Sequence, residues 1–188
     1  DDKEYAAIDD TVTYTVTVTI PESVASKPIT IVDTITDGLT LNTAVTVTNA
    51  VESPAYTSAT FTQGTHTAGT AATEAQGTEG EEGYVPAQPA TQGTTVYTLE
   101  IPAATVLANK GKTLTFTYTA KVNENAVVLE KEHNKAHITY DNFTTVDVDT
   151  VVVRVDSHNL GTQSAQGLGA CFAACSGAAV ERPSYFCI

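Results

Sequence analysis

The sequence predicts an all-β protein, an immunoglobulin-like β-sandwich of about seven to eight strands with one long surface loop. Three observations predict it. The run Thr11-Val-Thr-Tyr-Thr-Val-Thr-Val-Thr-Ile20 alternates threonine with an apolar residue without a break. The two-residue period of a strand puts Val12, Tyr14, Val16, Val18 and Ile20 on one face and only threonines on the other. The same kind of alternation returns in further short segments, with turn residues between them. Helical periodicity is nearly absent, and many short strands with little helix pack as two facing sheets.

Taken in order, the first strand covers 12–20 and stops at Pro21, which has no N–H to give a ladder. Threonine and the β-branched residues that fill it both favour strands. The second and third, 29–35 and 39–47, flank Asp37-Gly38, a turn pair because glycine tolerates positive φ. A fourth spans 57–62 after Pro54. Strands at 94–101 and 113–122 are separated by Pro102 and by Lys110-Gly111, with a helical turn expected at 103–109. A second helical turn is expected at 123–129. The last strands, 136–140 and 146–155, flank Asp141-Asn142. Between them all, 63–92 breaks the pattern. It is rich in Gly, Thr, Ala, Glu and Gln, contains Pro86 and Pro89, and holds too few large apolar residues to bury. It reads as a long surface loop, loosely ordered.

The chain has 188 residues, enough for one well-buried domain with a remainder. Its formal net charge of −13 argues against a nucleic-acid or anionic-membrane partner, since phosphate contacts need clustered Lys and Arg. No stretch approaches the ~20 apolar residues of a membrane helix. The absence of Met, even at position 1, reads as a mature region or a fragment of a longer protein. Abundant threonine with few charges suits an extracellular protein. The three cysteines, Cys171, Cys175 and Cys187, all lie near the C-terminus, so the body owes nothing to disulfides. Cys171-x-x-x-Cys175 has no His pair after it, and small apolar residues are the simpler account. The acidic cluster Glu79, Glu81 and Glu82 sits in a glycine-rich run, which does not supply the rigid convergence of oxygens that Ca²⁺ requires. No metal and no cofactor is expected. His66, His133, His137 and His158 form no paired motif, and no serine has a nucleophile-elbow context. Turnover of an external substrate is not expected.

Three segments go further than a β-sandwich. They are Asp10-Thr-Val-Thr-Tyr-Thr-Val-Thr-Val-Thr-Ile-Pro21, Ile31-Val-Asp-Thr-Ile-Thr-Asp-Gly-Leu-Thr-Leu41 and Asn134-Lys-Ala-His-Ile-Thr-Tyr-Asp-Asn142, with Leu114-Thr-Phe-Thr-Tyr-Thr-Ala120 between the last two. In this order they resemble the isopeptide-forming, collagen-adhesin-A-like domain of Gram-positive pilin backbone subunits and other cell-wall-anchored surface proteins, over roughly residues 1–155. The resemblance implies a self-made crosslink. A first-strand lysine and a last-strand asparagine condense to an amide and lose ammonia, assisted by a buried acid. The lysine must be neutral to attack and the acid must be protonated, and apolar burial favours both states.

On this resemblance, Asn134 is the acceptor and Asp33 the acid. Ile31, Asp33 and Ile35 share one face by period two, and an acid on an apolar face has either a catalytic or a structural hydrogen-bonding role. Glu100 is the substitute acid, but it alternates with Leu99 and Ile101 and so faces outward. The amine is either Lys3, the lone lysine ahead of the Thr11 strand, or a lysine preceding Asp1. Lys135 points away from Asn134, and Lys121 reads as a solvated strand-end residue. The bond would close a loop of about 100 residues, for which chain entropy gives about 4–5 kcal/mol.

From Val151 onward, Val-Val-Val-Arg-Val-Asp-Ser157 and Gly167-Leu-Gly-Ala-Cys-Phe-Ala173 resemble the opening of a following prealbumin-like module, so 156–188 is expected to be a poorly packed start of a second domain. Arg154 stands where that module commonly has its reactive lysine, and an arginine stays protonated and cannot attack. Neither a Leu-Pro-x-Thr-Gly sorting signal nor a Tyr-Pro-Lys pilin motif occurs in these residues. The function implied is a structural domain of a pilus or stalk on the cell wall of a Gram-positive bacterium, with neighbouring pilin subunits or domains as partners. The alternative is an adhesin module that contacts a host surface ligand through 63–92.

Overall fold

The computed structural model describes residues 3–51, 56–155 and 181–187, with the backbone alone for 3, 4 and 181–187. Two sheets face each other. In chain order the strands are β1 (Lys3–Ala6), β2 (Thr11–Thr19), β3 (Ile29–Thr36), β4 (Leu39–Thr48), β5 (Ser58–Thr60), β6 (Thr62–Thr67), β7 (Thr94–Ile101), β8 (Thr113–Val122), β9 (Lys131–Tyr140), β10 (Phe143–Thr144), β11 (Val148–Arg154) and β12 (Glu181–Cys187). One sheet has the strand order β1-β11-β9-β3-β7-β6, with β10 paired to β9, and the other has the order β12-β2-β8-β4-β5. This is the expected all-β sandwich.

The threonine alternation sets the pairing of β2 with β8. Val12, Tyr14, Val16 and Val18 lie opposite Ala120, Tyr118, Phe116 and Leu114, while Thr13, Thr15, Thr17 and Thr19 lie opposite Thr119, Thr117, Thr115 and Thr113. The first set is buried in the core. The second forms a hydroxyl face, closed at one end by the Thr19–Thr113 hydroxyl bond of 2.9 Å. A slip of one residue would exchange the two sets, so burial of the apolar set fixes the register. The opposite sheet supplies Ile29, Ile31, Ile35, Leu99, Ile101 and Ile138 to the same core.

Several boundaries differ from the sequence expectation. The strand expected at 136–140 begins at Lys131, five residues earlier. The strand expected at 57–62 is two short strands in different sheets, β5 and β6. The helix α1 covers Ala103–Ala108, as the sequence predicts, and buries Val106. No helix forms at 123–129. The Asn123 side chain accepts a hydrogen bond from the Asn125 N–H at 2.8 Å and binds the Asp37 carbonyl through its amide at 2.9 Å. Local bonding of this kind gives the backbone an alternative to the helix.

The expected loop at 63–92 is also more ordered than its composition suggests. After β6, which pairs with β7, the two arms stay joined by reciprocal backbone bonds between Thr70 and Thr91, Thr73 and Gln88, and Gln76 and Val85. The rungs recur every third residue, whereas hydrogen-bonded pairs in an antiparallel ladder recur every second. Pro86 and Pro89 each follow a rung residue, at positions that donate no N–H, which suits a residue that has none. The tip carries Gly77, Gly80 and Gly83, all at positive φ (82°, 93° and 88°). Nearly all of the arm is exposed.

Of the region expected to open a second domain, 156–180 lies outside the described residues. Glu181–Cys187 runs parallel to β2 as an edge strand. Arg154 closes β11 and donates from its guanidinium to the Ala126 carbonyl.

Candidate functional site

β3 and β9 are antiparallel neighbours, with Asp33 opposite Ala136 and Ile35 opposite Asn134. Asp33 and Asn134 are therefore diagonal neighbours on the inward face of one sheet. The sequence-predicted acid and acceptor come together because both strands keep period two through them. Asp33 is fully buried and Asn134 is 2% exposed.

Tyr118, which sequence reasoning did not single out, completes the cluster from the opposite sheet. It sits on β8 opposite Tyr14, and its phenol donates across the core to Asp33 Oδ2. Its ring lies 5.6 Å from that of Tyr14 and meets Phe61 edge-on at 5.0 Å. The sequence holds half of the signal: a tyrosine on an apolar face must find a partner for its hydroxyl, but that the partner is Asp33 follows only from the stacking of the two sheets. Among the described residues, Asp33 Oδ1 and Asn134 Nδ2 are buried and have no hydrogen-bond partner.

Burial raises the Asp33 carboxyl from its ordinary value of 3.8 to about 7; the Tyr118 phenol and the nearby Asn134 side chain pull the other way. Burial also holds the Tyr118 phenol well above its usual range, and the Asp33 charge adds to that. Tyr97, opposite Asp33 on β7, is raised by burial and by the same charge. The cluster thus holds an acid that keeps its proton to near neutrality on the same face of the sheet as a buried carboxamide.

The remaining candidates lie elsewhere. Lys3, on the edge strand β1, is in register with Val151, which pairs with His133. Asn134 instead shares its row with Thr150, so Lys3 is one residue out of phase with it. Every lysine whose side chain is described, Lys27, Lys110, Lys112, Lys121, Lys131 and Lys135, is exposed. Lys121 pairs with Asp9 at 2.7 Å in solvent. Glu100 is exposed, as the alternation predicts. His66, His133 and His137 each contact an aspartate, Asp37, Asp149 and Asp147, at about 3 Å on the protein surface. Among the described residues no three His, Cys, Asp or Glu side chains gather as a metal site would require.

A second buried acid, Glu132, was missed because the strand was expected to start at Ala136. Extending the alternation back through Asn134 places Glu132 on the inward face. Its carboxylate accepts from Thr36 Oγ1 at 2.5 Å, the Gly38 N–H at 3.1 Å and the Gln92 amide at 3.1 Å. Burial raises it, and the donors from Thr36, Gly38 and Val127 oppose that rise. A Cβ at Gly38 would overlap this carboxylate, so close approach, rather than positive φ, demands the glycine. Glu132 ties the β3–β4 turn and the base of the projecting arm to β9.

No protein-family model matches the chain, and no curated protein does. Among solved structures it is similar to the collagen-binding domain of the Erysipelothrix rhusiopathiae surface protein RspB, at 20% sequence identity and a TM-score of 0.33, covering 68% of this chain and 36% of that one.

Proposed function

We propose that the chain is a structural domain of a bacterial cell-surface pilus or stalk protein, stabilised by an internal amide between Lys3 and Asn134 that Asp33 helps to form. The observation that carries this reading is the buried Asp33–Asn134 pair. A carboxyl held near neutrality beside a carboxamide, both with an unpartnered polar atom, is costly to bury and is not needed to pack a sandwich. The three segments that resemble pilin-type isopeptide domains supply the reaction. The lysine nitrogen attacks Asn134 Cγ, the Cγ–Nδ2 bond breaks, and ammonia leaves with the proton that the amine gives up. Asp33 relays that proton and returns to its acid form. In this reading β1 slides by one residue along β11, which brings Lys3 from the His133 row to the Asn134 row, turns the exposed Tyr5 inward and takes Ala6 out of the core. Intact mass tests the proposal. The purified chain should be lighter than its sequence mass by one ammonia, and Asn134→Ala should restore the full expected mass of the variant. A parent chain at its full sequence mass sinks the idea.

A second reading, an adhesin module, draws on the arm at 63–92. It projects from the sheet edge, is nearly all exposed, and carries Glu74, Glu79, Glu81 and Glu82 with no Lys or Arg. Collagen, a host matrix protein, is the probe for this reading. Immobilised collagen should then retain the chain and lose it when the arm is excised. Equal retention without the arm excludes this route.

A further inference from the structure

We propose that Tyr118 is the positioning residue of this site: its phenol holds the Asp33 carboxyl so that the acid's own proton sits on Oδ1, the oxygen that no hydrogen bond occupies. The chemical purpose rests on the crosslinking reading above; the geometry does not.

The argument starts from donors and acceptors. A phenol carries one O–H, and here it is spent on Asp33 Oδ2. A protonated carboxyl has one O–H and one carbonyl oxygen, and the carbonyl oxygen is the better acceptor. The Tyr118 bond therefore makes Oδ2 the carbonyl oxygen and leaves the acid proton to Oδ1. Oδ1 is the oxygen without a partner, and Asn134, a diagonal neighbour of Asp33 on the same face of the sheet, also carries an unpartnered buried atom, Nδ2. Tyr118 cannot swing away easily. It is 3% exposed, and Tyr14 and Phe61 hold its ring. It also stands on the facing sheet, so closure of the sandwich itself orients the acid. The reaction can then begin only after the two sheets have packed.

During crosslinking, the Oδ1 proton passes to the carboxamide oxygen as the amine adds to Asn134 Cγ. The same oxygen then collects the amine's proton and hands it to the departing nitrogen; as the Cγ–Nδ2 bond breaks and ammonia leaves, the carbonyl re-forms and its hydroxyl proton returns to Oδ1, so Asp33 ends as it began. The phenol keeps its proton throughout; burial and the neighbouring carboxyl both hold it on.

The test compares the full chain with Tyr118→Phe, which keeps the ring and removes the hydroxyl. Infrared spectroscopy across pH follows the Asp33 carboxyl band, assigned by its loss in Asp33→Asn. Removing a donor to the carboxylate should raise the Asp33 titration midpoint by about one pH unit and move the band to higher wavenumber. The fraction of chains lacking one ammonia at a fixed time should fall by about tenfold or more. An unchanged midpoint, band and crosslinked fraction in a folded Tyr118→Phe overturns the proposal. A parent that never loses ammonia overturns the crosslinking reading instead and leaves the infrared comparison intact. If Tyr118→Phe does not fold, the parent still decides. The Tyr118 hydroxyl proton should give a downfield resonance by nuclear magnetic resonance that shifts in step with Asp33 titration, and a resonance indifferent to that titration overturns the assignment.

Discussion

Tyr118 on β8 and Asp33 on β3 are joined by a hydrogen bond that crosses the core from one sheet to the other. The bond links an acid held near neutrality to the packing of the whole sandwich, and much of the protein's solution behaviour should trace to it.

Stability should fall as pH rises from about 4 to about 7. The folded state holds the Asp33 proton up to about 7, whereas the unfolded chain releases it near 3.8. Through that window the unfolded state therefore binds fewer protons, and deprotonation favours unfolding. The loss at and above pH 8 relative to pH 4 from this group is on the order of 4 kcal/mol. Denaturant unfolding at a series of pH values measures it. Asp33→Asn should flatten this part of the profile; a variant with the parent slope assigns the effect to other groups.

Glu132 should be a larger structural determinant than its place near a strand end suggests. Glu132→Ala leaves the Thr36 hydroxyl, the Gly38 N–H and the Gln92 amide without their acceptor, at a cost of about 3 kcal/mol or more. Gly38→Ala, which pushes a methyl group into the same carboxylate, should cost about 2 kcal/mol. Because both act on one contact, the double variant should lose less than the sum of the two. Strict additivity in a double-mutant cycle would contradict the contact.

The projecting arm should be dispensable for folding. Excising 70–91 and joining Gly69 to Gln92 through Asn-Gly removes residues that contribute nothing to the core and keeps the Gln92–Glu132 bond. Chemical unfolding should show a change within about 0.5 kcal/mol of the parent. A loss of several kcal/mol would mean that the arm braces the sheet.

Phe116 tests the core itself. It is 1% exposed and faces Val16 and Val47 across its two neighbouring strands. Phe116→Ala should cost about 3–5 kcal/mol, whereas Thr117→Ala, on the hydroxyl face of the same strand, should cost far less. Comparable losses would contradict the assignment of faces.

The strand faces were legible because they depend on a local period: every second residue from Val12 to Val18, and from Ile29 to Ile35, says where it points. Asp33 was legible for the same reason, as a polar residue in apolar phase. Tyr118 was not, because which acid a core tyrosine meets depends on how two sheets stack, and no local period encodes that. Glu132 was hidden by the polar start of β9, Lys131-Glu-His-Asn, where no apolar residue marks the strand. The three-residue rhythm of the arm was hidden among Gly, Thr, Ala and Pro, which carry little hydrophobic signal.

A covalent link at Asn134 is decided by peptide mapping after tryptic digestion. The tetrapeptide 132–135 should be recovered only as a branch on a peptide uncut at Lys3, with the mass of the pair less one ammonia. Recovery of 132–135 as a free tetrapeptide with an intact Asn134 amide, together with normal cleavage at Lys3, would contradict it.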